Sequence, residues 1–163
     1  MFIIDPWITG NPLCSAFTRE IVNGGGYITE QIEANLNLGP EQAELVKCGA
    51  TGEGLPTPEQ VGPVVDAACD TIAGEIQRSI DFFVATSGQE GISRIFLTGG
   101  SANLPALAQA IERRSGVAVD VWAPIEAFTV DTKSIQADLL ERHAAQLGVA
   151  LGLSLRKSRE ARA

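Results

Sequence analysis

The residues best suited to holding a ligand form a double-glycine turn, Gly99 and Gly100, after an apolar run of β-branched and aromatic residues. The pattern predicts a buried strand, a tight turn and a helix that starts over Ser101 to Pro105. Glycine has no Cβ, so a ligand can approach the backbone, and a helix N-terminus offers unpaired N–H groups and a positive dipole end. These features are typical of an anion or nucleotide site. A strand-to-helix connection without a ligand has the same pattern.

A second candidate group lies on a long predicted helix. Glu75 and Arg78 are three positions apart on one face, and Ser79 stands one turn beyond Glu75. Without a partner elsewhere in the chain, Glu75 and Arg78 are explained as a surface ion pair that contributes about 0.2–0.5 kcal/mol. His143 has no Ser, Cys or carboxylate motif beside it, so a surface or core position explains it better than catalysis.

The composition indicates one domain, or one domain with a small subdomain, and excludes a nucleic-acid surface. The chain has 163 residues, with 12 Lys and Arg against 20 Asp and Glu and a net charge of -8. Binding to phosphate backbones needs a basic face that this balance does not supply. Four of the basic residues fall within 156–163, which we predict to be a disordered basic tail, peripheral to a membrane at most.

The three cysteines, Cys14, Cys48 and Cys69, are far apart and have no close Cys or His partner. Neither a disulfide framework nor a zinc site is indicated, and a reducing compartment fits best. Nothing near Met1 resembles a secretory signal, and no apolar run reaches about 20 residues. We therefore expect a cytoplasmic protein.

The elements that must position these residues follow from hydrophobic periodicity. An opening antiparallel hairpin is predicted from residues 1–8 and 13–22. Helices are predicted over 27–38, 41–46, 58–86, 104–114 and 135–155. Strands 94–98 and 117–122 enclose the helix 104–114 and form a right-handed parallel unit. Gly148 and Gly152 are expected to let the last helix pack closely on the sheet. The fold class is mixed α/β.

Four stretches resemble, in order, parts of the actin-like ATPase superfamily and specifically the PilM family of type IV pilus assembly proteins. The most specific is Glu75-Ile76-Gln77-Arg78-Ser79-Ile80-Asp81-Phe82-Phe83, which is very similar to the family's Glu-Ile-x-Arg-Ser-Leu-Asp-Phe-Tyr helix. The others are 17–32 with its glycine turn, Leu97 to Pro105, which is similar to the adenosine motif, and 149–156, which is similar to the closing helix.

The resemblance covers only the second half of a two-domain fold. It implies an actin-like, ribonuclease-H-like domain over 1–155, with a mixed sheet, an opening hairpin, covering helices and a helical subdomain insertion over 34–75. It also implies that adenosine lies between the double-glycine turn and the long helix. Gly99 and Gly100 would then admit the ribose and α-phosphate, Ser101 and Asn103 would edge the base, and Glu75 and Arg78 would contact ribose and adenine, with Ser79 helping.

The resemblance implies ATP as the ligand, with magnesium only in the full-length protein. The two Asp-containing glycine loops that hold phosphate and metal in the family have no counterpart in these residues, so we expect weak nucleotide binding and negligible hydrolysis by this chain alone. The implied role is an ATP-binding scaffold, associated with the inner membrane through pilus assembly partners such as PilN, whose groove belongs to the other half. The alternatives are a nucleotide-free interaction module, or another actin-like branch such as FtsA or a DnaK-type chaperone.

Overall fold

The computed structural model describes residues 17–88, 90–127, 139–140 and 143–154, and they form a helix-rich α/β arrangement with a small parallel sheet. The elements are α1 (Gly25–Leu36), α2 (Pro40–Lys47), α3 (Pro58–Ser87), β1 (Ile95–Leu97), α4 (Pro105–Ser115), β2 (Val119–Val121) and α5 (Gly148–Ser154). Short 3-10 turns occupy Gly100–Asn103, Pro124–Ala127 and Ala144–Gln146.

The first two helices form where their end signals predict. α1 begins at Gly25, two residues before the predicted start. Its C-cap is Asn37, which has a left-handed φ of 51° and donates its backbone N–H to the Glu33 carbonyl. Asn tolerates this conformation better than most residues do. α2 has Pro40 in its first turn, where a missing N–H costs nothing. Ile28 and Ile32 of α1 are fully buried and anchor this pair to the core.

α3 is the longest element and carries most of the core. Its start is fixed by a reciprocal capping box, in which the Thr57 and Gln60 side chains bind each other's backbone N–H groups, and Pro58 follows as the first helical residue. The hydrophobic periodicity that predicts this helix corresponds to a buried face, on which Ile72, Ile76 and Ile80 lie. Burial also raises the pKa of the Cys69 thiol on this helix to about 11.

The strand–helix–strand unit is confirmed. β1 and β2 pair in parallel with Ile95 opposite Val119, and α4 connects them and packs against α3. Gly116 ends α4 with a left-handed φ of 68°, as its position after the last periodic residue predicts. Ile95 and Leu97 are buried, so the strand that leads into the double-glycine turn is held rigidly by the core.

The predicted opening hairpin is wrong for the part of it that the structure describes. Residues 17–22 form no strand, and Val22 is 97% exposed. The Phe17 ring packs instead against Phe82 and Phe83 of α3, with centroid separations of 5.9 and 5.7 Å. Aromatic packing on a helix face therefore replaces strand pairing at this segment. The other predicted strand, 1–8, lies outside the described residues.

The predicted continuous helix over 135–155 is also wrong, because it is interrupted before α5. Ala144–Gln146 forms a 3-10 turn, and the carbonyl of Ala145 accepts hydrogen bonds from Thr98 and Gly99. Gly148 does pack closely as predicted, since a Cβ there would lie 3.2 Å from the Thr98 hydroxyl, whereas one at Gly152 would meet nothing within 4 Å.

Two other predictions concern organisation. The proposed insertion over 34–75 begins within α1 and ends within α3, and its status as a separate subdomain stays a prediction. The basic tail, 156–163, lies outside the described residues. Among the residues that are described, no helix is both long and apolar enough to cross a bilayer.

Candidate functional site

The double-glycine turn is held from behind by the segment that precedes α5. Gly99 has a φ of 99°, which favours glycine, and its N–H donates to the Ala145 carbonyl over 2.7 Å. The Thr98 hydroxyl donates to the same carbonyl, also over 2.7 Å. Gly100 lies against Gln146, whose amide nitrogen would be 3.5 Å from a Cβ at that position. One side of the turn is therefore fixed by Ala145 and Gln146, and the opposite side, called its front below, is partly open to solvent.

The backbone N–H groups at the front of the turn belong to Gly100 and Ser101. The first hydrogen bond of the 3-10 turn is donated by Ala102 to the Gly99 carbonyl over 3.1 Å, so Gly100 and Ser101 precede the bonded residues. Gly100 is exposed and Ser101 is half-buried. Asn103 lies exposed at the other end of the same short helix.

The Gly99–Gly100 turn meets the first glycine turn of the sequence, Gly24–Gly26, in the structure. A Cβ placed on Gly25, at the start of α1, would lie 2.5 Å from the Ser101 hydroxyl oxygen, so only glycine fits there without displacing Ser101. The start of α1 has no side-chain cap and no acidic residue in its first turn. Its N–H groups and dipole thus remain uncompensated by side chains, which favours an anion near this end.

A lysine that the sequence analysis did not select adds a positive charge at this junction. Lys47, the last residue of α2, has a side chain only 10% exposed, and its Nζ lies 3.7 Å from where a Cβ of Gly25 would stand. It donates to the Gly25 carbonyl (3.2 Å), the Thr29 hydroxyl (2.9 Å) and Glu44 Oε2 (2.6 Å). α2 is thereby tied to the first turn of α1.

Glu44 is the anionic partner in this network. Hydrogen bonds from Lys47 and then from the Thr29 hydroxyl lower the pKa of its carboxyl below the ordinary value of 4.5. The Thr29 bond to Glu44 Oε2 is 2.6 Å long. The Glu44 side chain is 54% exposed, so one side of the carboxylate remains open to solvent or to a ligand hydroxyl.

The residues selected on α3 occupy different environments. Glu75 accepts a hydrogen bond from the Asn23 amide over 2.9 Å, which links it to the residue just before the first glycine turn. Arg78 is 67% exposed, and its guanidinium lies 4.0 Å from the Glu75 carboxylate. Ser79 is buried, and its hydroxyl donates to the Glu75 carbonyl over 2.8 Å. Glu75 thus joins the junction through Asn23, while Ser79 bonds within its own helix.

Sequence reasoning missed Asn23, Lys47 and Gln146 at this site. Glu44 and Lys47, three positions apart on a short helix, have the pattern of an ordinary surface pair, and no local signal connects them with a turn around Ser101. The Gly24–Gly26 run offered a partial signal, because a glycine turn before a helix start occurs twice in the chain. Among the described residues, no group of three His, Cys, Asp or Glu side chains is placed to hold a metal ion.

Chemically, the junction can bind but has no nucleophile and base pair among the groups described above. It combines glycine backbone, open N–H groups, one nearly buried ammonium and two carboxylates. Glycine and N–H groups suit a phosphate or a closely approaching ribose, and carboxylates accept hydrogen bonds from sugar hydroxyls. This donor and acceptor set fits a nucleotide better than it fits a catalytic reaction.

Comparison with known proteins identifies a family and similar solved structures. A family model described as type IV pilus assembly protein PilM matches residues 13–158. A chain in a solved structure of a PilM-PilN type IV pilus biogenesis complex is similar with a TM-score of 0.70 and 29% sequence identity. The match covers 85% of the present chain and 38% of that chain, so the present chain spans well under half the length of the protein it resembles.

Proposed function

We propose a function from the premise that this chain belongs to the type IV pilus assembly protein PilM family: it forms the adenosine-binding side of an ATP-dependent actin-like scaffold. The fold assignment behind this proposal is the second half of a two-domain actin-like architecture. It is supported by the parallel strand–helix–strand unit and by the similarity to a chain of a PilM-PilN complex. In such a scaffold, nucleotide acts as a switch for partner binding.

The observation that carries the nucleotide proposal is the contact between the two glycine turns. Gly25 and Ser101 approach so closely that a methyl group on Gly25 would overlap the Ser101 hydroxyl. Two uncapped segments with free N–H groups thereby converge, and Lys47 places an ammonium at the same junction. A ligand with a sugar and a phosphate matches this arrangement, because each of its parts finds a suitable partner.

The proposed roles of individual residues follow from their positions. Gly99, Gly100 and Ser101 provide close backbone approach and N–H donors for ribose and α-phosphate, and Asn103 borders the base. Lys47 holds the first turn of α1 in place and adds positive charge, while Glu44 offers an acceptor to a hydroxyl group. Glu75 and Arg78, with Asn23, border the α3 side of the junction, and Ser79 fixes the local helix backbone under Glu75.

Calorimetric titration of the full chain with adenosine, ATP and ADP tests this proposal. We expect ATP and ADP to bind with similar Kd values of about 0.1–1 mM, or roughly −4 to −5.5 kcal/mol, and adenosine to bind more weakly because it lacks the α-phosphate. We expect no effect of magnesium and no phosphate release. Gly100→Trp should abolish binding, and Lys47→Met should weaken it about tenfold.

Arg94→Met is the matched control for loss of a cation. Arg94 lies just before β1, is exposed and pairs with Asp120 of β2, so its loss should leave nucleotide affinity unchanged. Tight binding that requires magnesium, or equal effects of Lys47→Met and Arg94→Met, would contradict the proposed site. Circular dichroism of each variant confirms that lost binding is not lost folding.

A nucleotide-free interaction module is the second candidate function. It is favoured by the contacts that the Glu75 carboxylate already makes within the chain. The carboxylate accepts a hydrogen bond from Asn23, and Arg78 lies beside it. In that case adenosine does not bind before or after the Gly100→Trp substitution. Loss of measurable binding in Gly100→Trp with the fold retained separates the nucleotide site from this alternative.

The proposed partners are other pilus assembly proteins. PilN accompanies PilM in the similar complex, and the resemblance places the PilN groove in the other half of the fold, so we expect PilN to associate with the two-domain protein. We propose that the protein works on the cytoplasmic side of the inner membrane and reaches the membrane through these partners. Co-purification of PilN with the two-domain protein, and not with residues 1–163, is the expected result.

A further inference from the structure

A surface groove between α1 and α3 has no role in the nucleotide proposal. It encloses a cavity of about 310 Å³, and its floor consists of Pro63, Val64, Ala67 and Ala68 of α3. The floor side chains are small, so they leave space that the facing side chains of α1 do not fill. The groove begins two residues after Gly25 and follows α1 away from the glycine junction.

The rim of the groove carries hydrogen-bonding groups on α1. Tyr27 and Gln31 lie one turn apart, and neither side chain hydrogen-bonds to another residue in the described part of the chain. Pro63 has no N–H to donate to the Glu59 carbonyl four residues earlier, so this carbonyl lacks its usual helical partner beside the groove. Apolar floor and polar rim together suit a polypeptide, whose backbone needs both donors and acceptors.

Acidic residues outnumber basic ones around the groove. Residues 25–36 and 58–71 contain no Lys, Arg or His, whereas Glu30, Glu59, Asp66 and Asp70 each lie three or four positions from a lining residue and thus flank it. Asp70 pairs with Arg113 over 2.7 Å. The other three form no ion pair with a residue that the structure describes. Such a border attracts a cationic ligand and repels an acidic one.

We propose that this groove binds an extended, Lys- or Arg-containing segment of a partner protein. Small apolar side chains of the segment enter over Val64 and Ala67, its backbone bonds to Tyr27 and Gln31, and its cations meet the flanking carboxylates. From Tyr27 to Asn35 the groove follows α1 for about 12 Å, which matches about four residues of extended chain. This inference is independent of nucleotide binding.

The test uses the full chain and a fluorescent ten-residue peptide of alternating Lys with Ala and Val, together with a matched peptide in which Glu replaces each Lys. Anisotropy should report binding of the Lys peptide only, and raising the salt concentration from 50 to 500 mM should weaken it. On isotopically labelled protein, the Lys peptide should shift amide resonances of residues 27–35 and 63–71. Equal binding of both peptides, or shifts elsewhere, overturns the proposal.

Two pairs of variants locate the binding surface. Ala67→Trp fills the groove and should reduce affinity at least tenfold, whereas Ala85→Trp, five turns further along the same helix and also exposed, should not. Asp66→Lys should weaken binding about threefold to fivefold, and Asp81→Lys is its control. Asp66→Lys and its control Asp81→Lys still test the proposal if Ala67→Trp misfolds. Equal affinities within both pairs would overturn it.

The basic tail of the same chain is the competing occupant. Its removal distinguishes the two, because a chain lacking 156–163 should show unchanged resonances for residues 27–35 and 63–71 when no peptide is present. If those resonances move on removal of the tail, the groove is occupied from within and the proposal of a partner segment is wrong.

Discussion

Replacing Gly25 by alanine tests directly whether the two glycine turns meet. The added methyl group would lie 2.5 Å from the Ser101 hydroxyl oxygen, so the Ser101 side chain must rotate about χ1 or shift, at a cost of about 0.5–1.5 kcal/mol. The helix preference of alanine offsets up to about 1 kcal/mol of this. Gly26→Ala gains the same preference, because a Cβ there meets nothing within 4 Å, so it is the matched control.

The measured quantity is the free energy of unfolding from urea denaturation followed by circular dichroism. We expect Gly25→Ala to be less stable than Gly26→Ala by about 0.5–1.5 kcal/mol, or at least about 1 °C in Tm for a domain of this size. Comparing the two variants cancels the helix preference. The remaining difference then reports the contact with Ser101.

Ser101→Ala provides the decisive second measurement. It removes the hydroxyl oxygen and leaves the Ser101 Cβ, which would be 3.9 Å from the new methyl group, an ordinary contact. Gly25→Ala should therefore cost little in this background, giving a coupling energy of about 0.5–1.5 kcal/mol. Equal stability of Gly25→Ala and Gly26→Ala, or a coupling near zero, would refute the proposed junction and the site built on it.

Two further predictions concern the network around Lys47 and the packing of α5. Because the folded pKa of Glu44 lies below 4.5, the stability that its carboxylate contributes is present above that pH and lost as the pH falls through the lowered value. Urea denaturation should show Glu44→Gln about 0.5 kcal/mol less stable than the native chain at pH 7, with the gap closing below pH 4.5. Gly148→Ala should destabilise by about 1 kcal/mol because its Cβ would crowd Thr98, whereas Gly152→Ala should raise Tm slightly. Gly148→Ala with an undiminished Tm would contradict the close packing described for α5.

The elements predicted well are those whose signals are local. Pro40 and Pro58 mark helix starts because a proline in the first turn loses no hydrogen bond, and Gly116 marks a helix end because it adopts a left-handed φ. The alternation of apolar and polar residues after Gly116 and the apolar run before Gly99 predict the two parallel strands, and these signals are also local. Each of these signals depends on a few neighbouring residues.

The failures share a dependence on distant partners. Residues 17–22 have strand-forming composition, yet Phe17 packs on two rings of α3 that the local pattern does not reveal. The last predicted helix is interrupted because the Ala145 carbonyl bonds to Thr98 and Gly99, far away in sequence. Hydrophobic periodicity does not indicate which backbone carbonyl will accept a hydrogen bond from a residue distant in sequence.

The residues of the candidate site likewise fall into those that a local sequence signal reveals and those that only tertiary packing brings to the site. The Gly99–Gly100 turn was recognisable from its position after a buried strand, and the resemblance to actin-like ATPases added Glu75 and Arg78. Lys47 was not recognisable, because its place in the candidate site depends on its hydrogen bond to the Gly25 carbonyl and on the nearby Ser101. Both follow from how α1, α2 and the turn pack together.

The two hydrogen bonds accepted by Ala145 also set the order in which the site is completed during synthesis. Thr98 and Gly99 leave the ribosome well before Ala145, by on the order of 2–10 s at ordinary elongation rates. Until Ala145 has been synthesised, the Thr98 hydroxyl and the Gly99 N–H have no acceptor from this segment, and nothing from it packs against the turn. The Gly99–Gly100 turn therefore gains these contacts only late in translation, and a nascent chain stalled before Ala145 would present the turn without them.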